Sequence, residues 1–104
     1  MTTPLGTIPL LVRENYDLDK GSYATRLSGG LINSTYGIWS ADHEPLMVLQ
    51  CLHSIFKPSV NLDLQAVSTY LNERGIQTPT LIHCKKGQPW VMENGRCWRA
   101  TTYI

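Results

Sequence analysis

The stretch Trp90-Val91-Met92-Glu93-Asn94-Gly95-Arg96-Cys97-Trp98-Arg99 decides the architecture of this chain. Asn94-Gly95 between two runs of strand-forming residues is the strongest short hairpin signal a sequence offers, because both residues tolerate the positive φ of a two-residue turn. The chain therefore folds back on itself here, with one strand over Trp90 to Glu93 and an unusually long one over Arg96 to Ile104. Immediately upstream, Thr80 to Cys84 reads as a further strand and Lys85-Lys86-Gly87-Gln88 as the turn after it. The last part of the chain is thus expected to be a three-stranded meander.

Before the meander, Val60, Leu64, Val67 and Leu71 recur at helical spacing, flanked by Ala66 and Tyr70. Asp63, Gln65, Thr69, Asn72 and Glu73 supply the polar side. Ser59 or Asn61 caps the start of this helix, and Gly75 takes the position just past its end, where a left-handed residue closes a helix. Leu46 to Leu52 is nearly continuous apolar sequence around Gln50, which suits a strand buried on both faces. Thr35 to Ser40 is a strand carrying Thr35, Tyr36, Ile38 and Trp39. Tyr23 to Leu27 is a shorter one, broken by Ser28-Gly29-Gly30. Ile8, Leu11, Val12 and Tyr16 follow helical spacing, with Thr7 able to cap and Pro9 in the first turn, where no amide donor is needed. Helix, three strands, helix, three strands, all joined by short turns, predict an α+β fold: a twisted antiparallel sheet of five to six strands with two helices.

With 104 residues the chain is one domain, residues 1–104, with no linker, repeat or low-complexity tract. A domain of this size buries only about 60–65% of the surface its unfolded chain exposes, so a modest stability is expected. The net charge of +1 provides no field for nucleic acid or anionic lipid, and a nucleic-acid partner is not expected. The longest apolar run, Ile8 to Val12, is too short to span a bilayer, and no membrane association is expected. Cys51, Cys84 and Cys97 are odd in number and lack paired spacing, which fits free thiols in a reducing cytoplasm. Cys51 with His53, and His83-Cys84 with Cys97, lack the Cys-x-x-Cys or His-x-x-x-His pairs of structural zinc sites, so no metal site is assigned.

Three stretches carry a family resemblance. Leu27-Ser28-Gly29-Gly30-Leu31-Ile32-Asn33-Ser34-Thr35-Tyr36 resembles the glycine-rich hairpin of the aminoglycoside phosphotransferase and choline kinase superfamily. Val48-Leu49-Gln50-Cys51-Leu52, with Ile55-Phe56-Lys57 behind it, is similar to the third strand and following turn of N-acetylhexosamine-type sugar kinases in that superfamily. Gly95-Arg96-Cys97-Trp98-Arg99 through Tyr103-Ile104 resembles the strand that enters the inter-lobe hinge. The resemblance runs from about Leu10 to Ile104 and implies a protein-kinase-like small lobe that clamps ATP and Mg2+. In such enzymes a large C-terminal lobe carries the catalytic Asp, the Asn and the magnesium-binding Asp. No His-Gly-Asp or Asp-containing catalytic-loop motif occurs in these 104 residues, so no catalytic residue is assigned in them.

The candidate nucleotide-binding residues are Ser28, Gly29, Gly30, Asn33, Ser34, Gln50 and Tyr103. Glycines let backbone donors approach a triphosphate because no Cβ intervenes, and Asn33 and Ser34 add side-chain donors. The same residues also make an ordinary hairpin loop. Gln50 stands where eukaryotic-type kinases place a phosphate-binding Lys. Similar sugar kinases often follow this Gln with Arg, and Cys51 departs from that pattern. Gln50 can still donate to a phosphate oxygen, without the charge assistance that roughly doubles such a bond; equally, it is a common polar strand residue. Asp63 takes the position of the family's ion-pair acid, although the helix dipole alone favours an acid there. The resemblance further implies an adenine roof of Leu27, Tyr36 and Ile38, with Tyr103 and Ile104 at the adenine edge.

Two functions are expected from this reading. The first is the nucleotide-binding lobe of an ATP-dependent sugar or amino-sugar kinase, inactive without its C-terminal lobe. The second is a self-standing kinase-lobe-like scaffold without catalysis. In either case the exposed lobe interface or the terminal strand invites a homodimer.

Overall fold

The structure is a computed structural model that describes residues 2–3, 8–18, 21–28, 34–52 and 57–103. In chain order its elements are β1 (Thr2–Thr3), α1 (Leu10–Asn15), β2 (Tyr23–Ser28), β3 (Ser34–Trp39), β4 (Pro45–Leu52), α2 (Val60–Glu73), β5 (Leu81–Ile82), β6 (Val91–Glu93) and β7 (Arg96–Thr101). The class is α+β, with two helices against one antiparallel sheet, as the element order predicts. The described residues form seven strands rather than five to six, because the short β1 pairs Thr2 with Thr25 and Thr3 with Ala24 along the outer edge of β2.

The sheet runs β1-β2-β3-β4-β7-β5, and β6 pairs with β7 as well. The Asn94-Gly95 turn is as expected: both residues have positive φ, 50° and 78°, and Glu93 faces Arg96 across the hairpin. The meander is not. β5 does not pair with β6; both lie end to end along the same side of β7, Leu81 opposite Thr101 and Val91 opposite Trp98. The pairing sums rise from 182 on β5 (81 with 101) to 189 on β6 (91 with 98), so seven residues are looped out of what is otherwise one interrupted strand. Lys85-Lys86-Gly87-Gln88 turns the chain as expected, with the amides of Cys84 and Gly87 bonded to the carbonyls of Gln88 and Cys84. It turns the chain out of the sheet and back instead of reversing it. Regular pairing on β7 ends at Thr101, short of the expected Ile104, which lies outside the described residues; Thr102 still donates its amide to Thr80 O at 2.8 Å.

One face of the sheet carries the core. Ile8, Val12 and Tyr16, spaced by four, bring α1 down onto Ala24, Ile38, Leu49, Val91, Trp98 and Ala100. Leu11, expected in the same stripe, is exposed, because the helix is only six residues long and presents a single line to the sheet. Pro9 stands just before the first helical residue, and Thr7, the expected cap, lies outside the described residues.

β4 is not buried on both faces. Met47, Leu49 and Cys51 are buried while Val48 and Gln50 are half-buried, the alternation of a strand whose second face is partly open. Helix α2 spans the expected residues and ends in a Schellman motif: Ile76 N–H reaches Leu71 O, Gly75 N–H reaches Asn72 O, and Gly75 has a φ of 80°. Its buried face differs from the expected stripe. Asn61 and Ser68 are buried, Leu64 and Leu71 partly so, and Val60 and Val67 face out. Neither Ser59 nor Asn61 caps by accepting a hydrogen bond; Asn61 instead donates to Pro58 O at 2.9 Å. No helix among the described residues is long and apolar enough to cross a membrane.

Candidate functional site

The second sheet face is built from the residues that alternate with the core. Thr35, Gln50 and Arg99 form one cross-strand row on β3, β4 and β7, and Thr25, Gly37, Val48 and Thr101 form the next. Helix α2 covers one end of this face. The uncovered part is a cleft of about 450 Å³ whose walls include Leu27, Val48, Gln50, Leu64, Arg99 and Tyr103.

The apolar end of the cleft depends on a glycine. A Cβ on Gly37 would come within 3.1 Å of Trp39 Nε1, 3.2 Å of Thr25 Oγ1 and 3.4 Å of Leu27 Cδ1. Its absence leaves room for the Trp39 indole to donate to Thr25 Oγ1 at 2.9 Å. Trp39 then meets Tyr103 edge to face, centroids 5.5 Å apart.

The polar end is a relay of side chains. Arg99 Nε donates to Gln50 Oε1 at 2.9 Å, and Arg99 Nη1 donates to Asn61 Oδ1 at 3.0 Å. Gln50 Nε2 donates on to Thr35 Oγ1 at 3.2 Å, and Asn61 Nδ2 to Pro58 O and to Cys97 Sγ. Arginine can only donate, so both amide oxygens must turn towards it and both amide nitrogens away. Asn61 has no exposed surface, and α2 delivers it from its first turn directly over β7. Burial pulls the Arg99 guanidinium below the ordinary arginine range, opposed by the nearby Cys97. The group stays cationic at neutral pH nevertheless. Its described partners are neutral amides; the ion pair found among the described residues is Lys85 with Asp17, 3.7 Å apart and on the surface.

Of the candidate residues, the structure brings Gln50 and Tyr103 into one cleft, with Leu27 beside them. Ser28 pairs with Thr35 at the end of β2, after a register shift that follows Arg26. Ser34 sits opposite Cys51, on the face away from Gln50, and the hydroxyl that joins the cleft row belongs to Thr35. Gly29, Gly30 and Asn33 lie outside the described residues, as do His53 and Ile104. Tyr36 and Ile38 do not roof the cleft. They alternate with Thr35 and Gly37 and so point to the core, where Ile38 is fully buried and Tyr36 stacks on Trp98. Asp63 is exposed, and the α2 side chain that meets the sheet is Asn61, on Arg99 and Cys97 of β7.

Arg99 and Asn61 were not legible as site residues. The available signal was faint: Arg99 is a charge in a strand with no acid at the alternate positions Cys97 and Thr101. Its proximity to Gln50 follows from register, which no local pattern reveals. A second depression of about 420 Å³, bordered by Asn15, Lys86, Gln88 and Trp90, gathers none of the candidate nucleotide residues. Among the described residues no three His, Cys, Asp or Glu side chains converge to hold a metal ion. No family model matches the chain, and no curated protein matches it either.

Proposed function

We propose that the chain is a nucleotide-clamping lobe of the kinase-like kind, working with a second lobe that supplies the phosphoryl-transfer residues for a sugar or amino sugar. The observation that carries this reading is the cleft. An apolar end with Leu27 and Tyr103 suits a flat heterocycle, and a polar end with Gln50 and Arg99 suits an anionic tail, both on one sheet face. The position of Gln50 on the strand that resembles the third strand of sugar kinases supports it. Catalysis in such an enzyme is positioning and electrostatics, with Mg2+ between the phosphates and the large lobe. Mg-ATP titrated into the protein is expected to bind weakly, in the millimolar range that corresponds to about −4 kcal/mol, and to shift the NMR signals of Leu27, Gln50, Arg99 and Tyr103. ATP hydrolysis or sugar phosphorylation by these residues alone is not expected. Absence of shifts at the cleft, or turnover at ordinary enzyme rates, overturns the reading.

The scaffold reading is favoured by a different observation. Leu62, Val67, Tyr70 and Ile76 are each more than half exposed, an apolar surface on and just beyond α2. In a kinase-like pair of lobes this surface is available to a partner, and in the scaffold reading it joins two copies of the chain. A homodimer in sedimentation that Val67→Asp dissociates supports the scaffold; a monomer at high concentration removes it.

A further inference from the structure

Strand β4 places a neutral pair, Gln50 and Cys51, where a phosphate-binding lobe needs a cation. Arg99 sits directly opposite Gln50 on β7 and lines the same cleft. Its two described hydrogen bonds, to Gln50 Oε1 and Asn61 Oδ1, use two of five guanidinium donors. Both acceptors are neutral amides, and both are held in turn, Gln50 by Thr35 and Asn61 by its bonds to Pro58 O and Cys97 Sγ. The guanidinium is thus oriented by a rigid support that leaves its charge unspent. A carboxylate at position 61 would also accept from the guanidinium, but it would cancel the charge and could not donate to Pro58 O.

We propose that Arg99 is the oxyanion anchor of this cleft, supplying from the last strand the cation that β4 lacks and binding the pyrophosphoryl portion of a nucleotide through its remaining donors. The inference rests on the nucleotide reading for the identity of the ligand, while the anchor itself is a property of Arg99, Gln50 and Asn61. Gln50 and Asn61 are positioning residues, and their amide character is the requirement. A planar fork gains two parallel bonds to a phosphate, which a lysine at this place could not reproduce.

The test uses inorganic pyrophosphate in buffer with chelator, and separately adenosine, each titrated by NMR or calorimetry. The intact protein is expected to bind both. Arg99→Gln is expected to weaken pyrophosphate at least tenfold and leave adenosine unchanged. Because Arg99→Gln also strips a donor from buried Asn61, the deciding variant is Asn61→Asp. It keeps the shape of the side chain and sets a carboxylate against the guanidinium, at the cost of the Asn61 Nδ2 bonds to Pro58 O and Cys97 Sγ, so it should weaken pyrophosphate at least tenfold in protein that circular dichroism shows to be folded. Undiminished pyrophosphate affinity in Asn61→Asp or in folded Arg99→Gln overturns the anchor. Adenosine binding without pyrophosphate binding also overturns it and leaves the nucleotide reading standing. Pyrophosphate binding lost in both variants, with no adenosine binding at all, upholds the anchor and ends the nucleotide reading.

Discussion

Asn61 and Ser68 are buried in a helix whose valines face outward, and each is buried because it has a specific acceptor or donor to meet. Ser68 Oγ donates to Pro79 O at 2.8 Å, tying α2 to the segment that enters β5. Removing that hydroxyl deletes a bond from an almost fully buried side chain to the carbonyl of Pro79, a residue that is itself exposed. Ser68→Ala is therefore expected to lower unfolding free energy by about 0.5–1.5 kcal/mol, the net worth of one hydrogen bond. Val67, one residue earlier and 55% exposed, gives the opposite result: Val67→Ala should change stability by less than about 0.5 kcal/mol. Urea denaturation of the two variants measures the contrast, and a larger loss from Val67 would show that the helix packs on its apolar stripe after all. Arg99 belongs to the same class of residue, a polar group whose worth lies in what it faces.

At the scale of elements, the signals that came through are those written in local stereochemistry. Asn94-Gly95 tolerates the left-handed region, so the β6–β7 hairpin could be placed to the residue; Gly75 does the same for the end of α2. The signals that failed concern which face of an element meets what. In β3 the aromatic and aliphatic residues Tyr36 and Ile38 resemble a binding roof, yet they supply the core, and the cleft side receives Thr35, Gly37 and Trp39. A strand has period two, so a choice of the wrong face moves every side chain at once. The looped-out segment between β5 and β6 escaped for a related reason. A turn of Lys85-Lys86-Gly87-Gln88 has the same composition whether it reverses a strand or bulges out of one. Only the common partner, β7, distinguishes the two.

For the whole molecule, the burial that forms the core also sets its response to pH. Burial pushes the thiols of Cys51 and Cys97 up, against a lowering influence of Arg96 on the first and of Asn61 and Arg99 on the second. Burial likewise pushes the Tyr16 phenol up. In the unfolded chain thiols ionise near pH 8.5 and phenols near pH 10. As pH rises through that range the unfolded state loses protons that the folded state retains. Fewer protons on the unfolded chain mean that stability falls with rising pH. The contribution is complete below about pH 8 and diminishes above it. Thermal midpoints measured from pH 7 to 10 should therefore be flat at first and then decline, and Cys51→Ala should reduce the slope of the decline. A midpoint that holds to pH 10 would show the thiols to be solvated.

The sequence by itself determined the class, the order of the elements from α1 onward and the two glycine-dependent ends, because these follow from periodicity and from φ angles that single residues dictate. It also singled out Gln50 and Tyr103, which share the cleft. Tertiary structure alone decided that Gln50 serves Arg99, that Asn61 from the first turn of α2 meets the same guanidinium, and that a cation enters the cleft from the last strand. Those facts join residues 38 and 49 positions apart, through strand register and the docking of one helix, and no local preference of the chain encodes such a meeting.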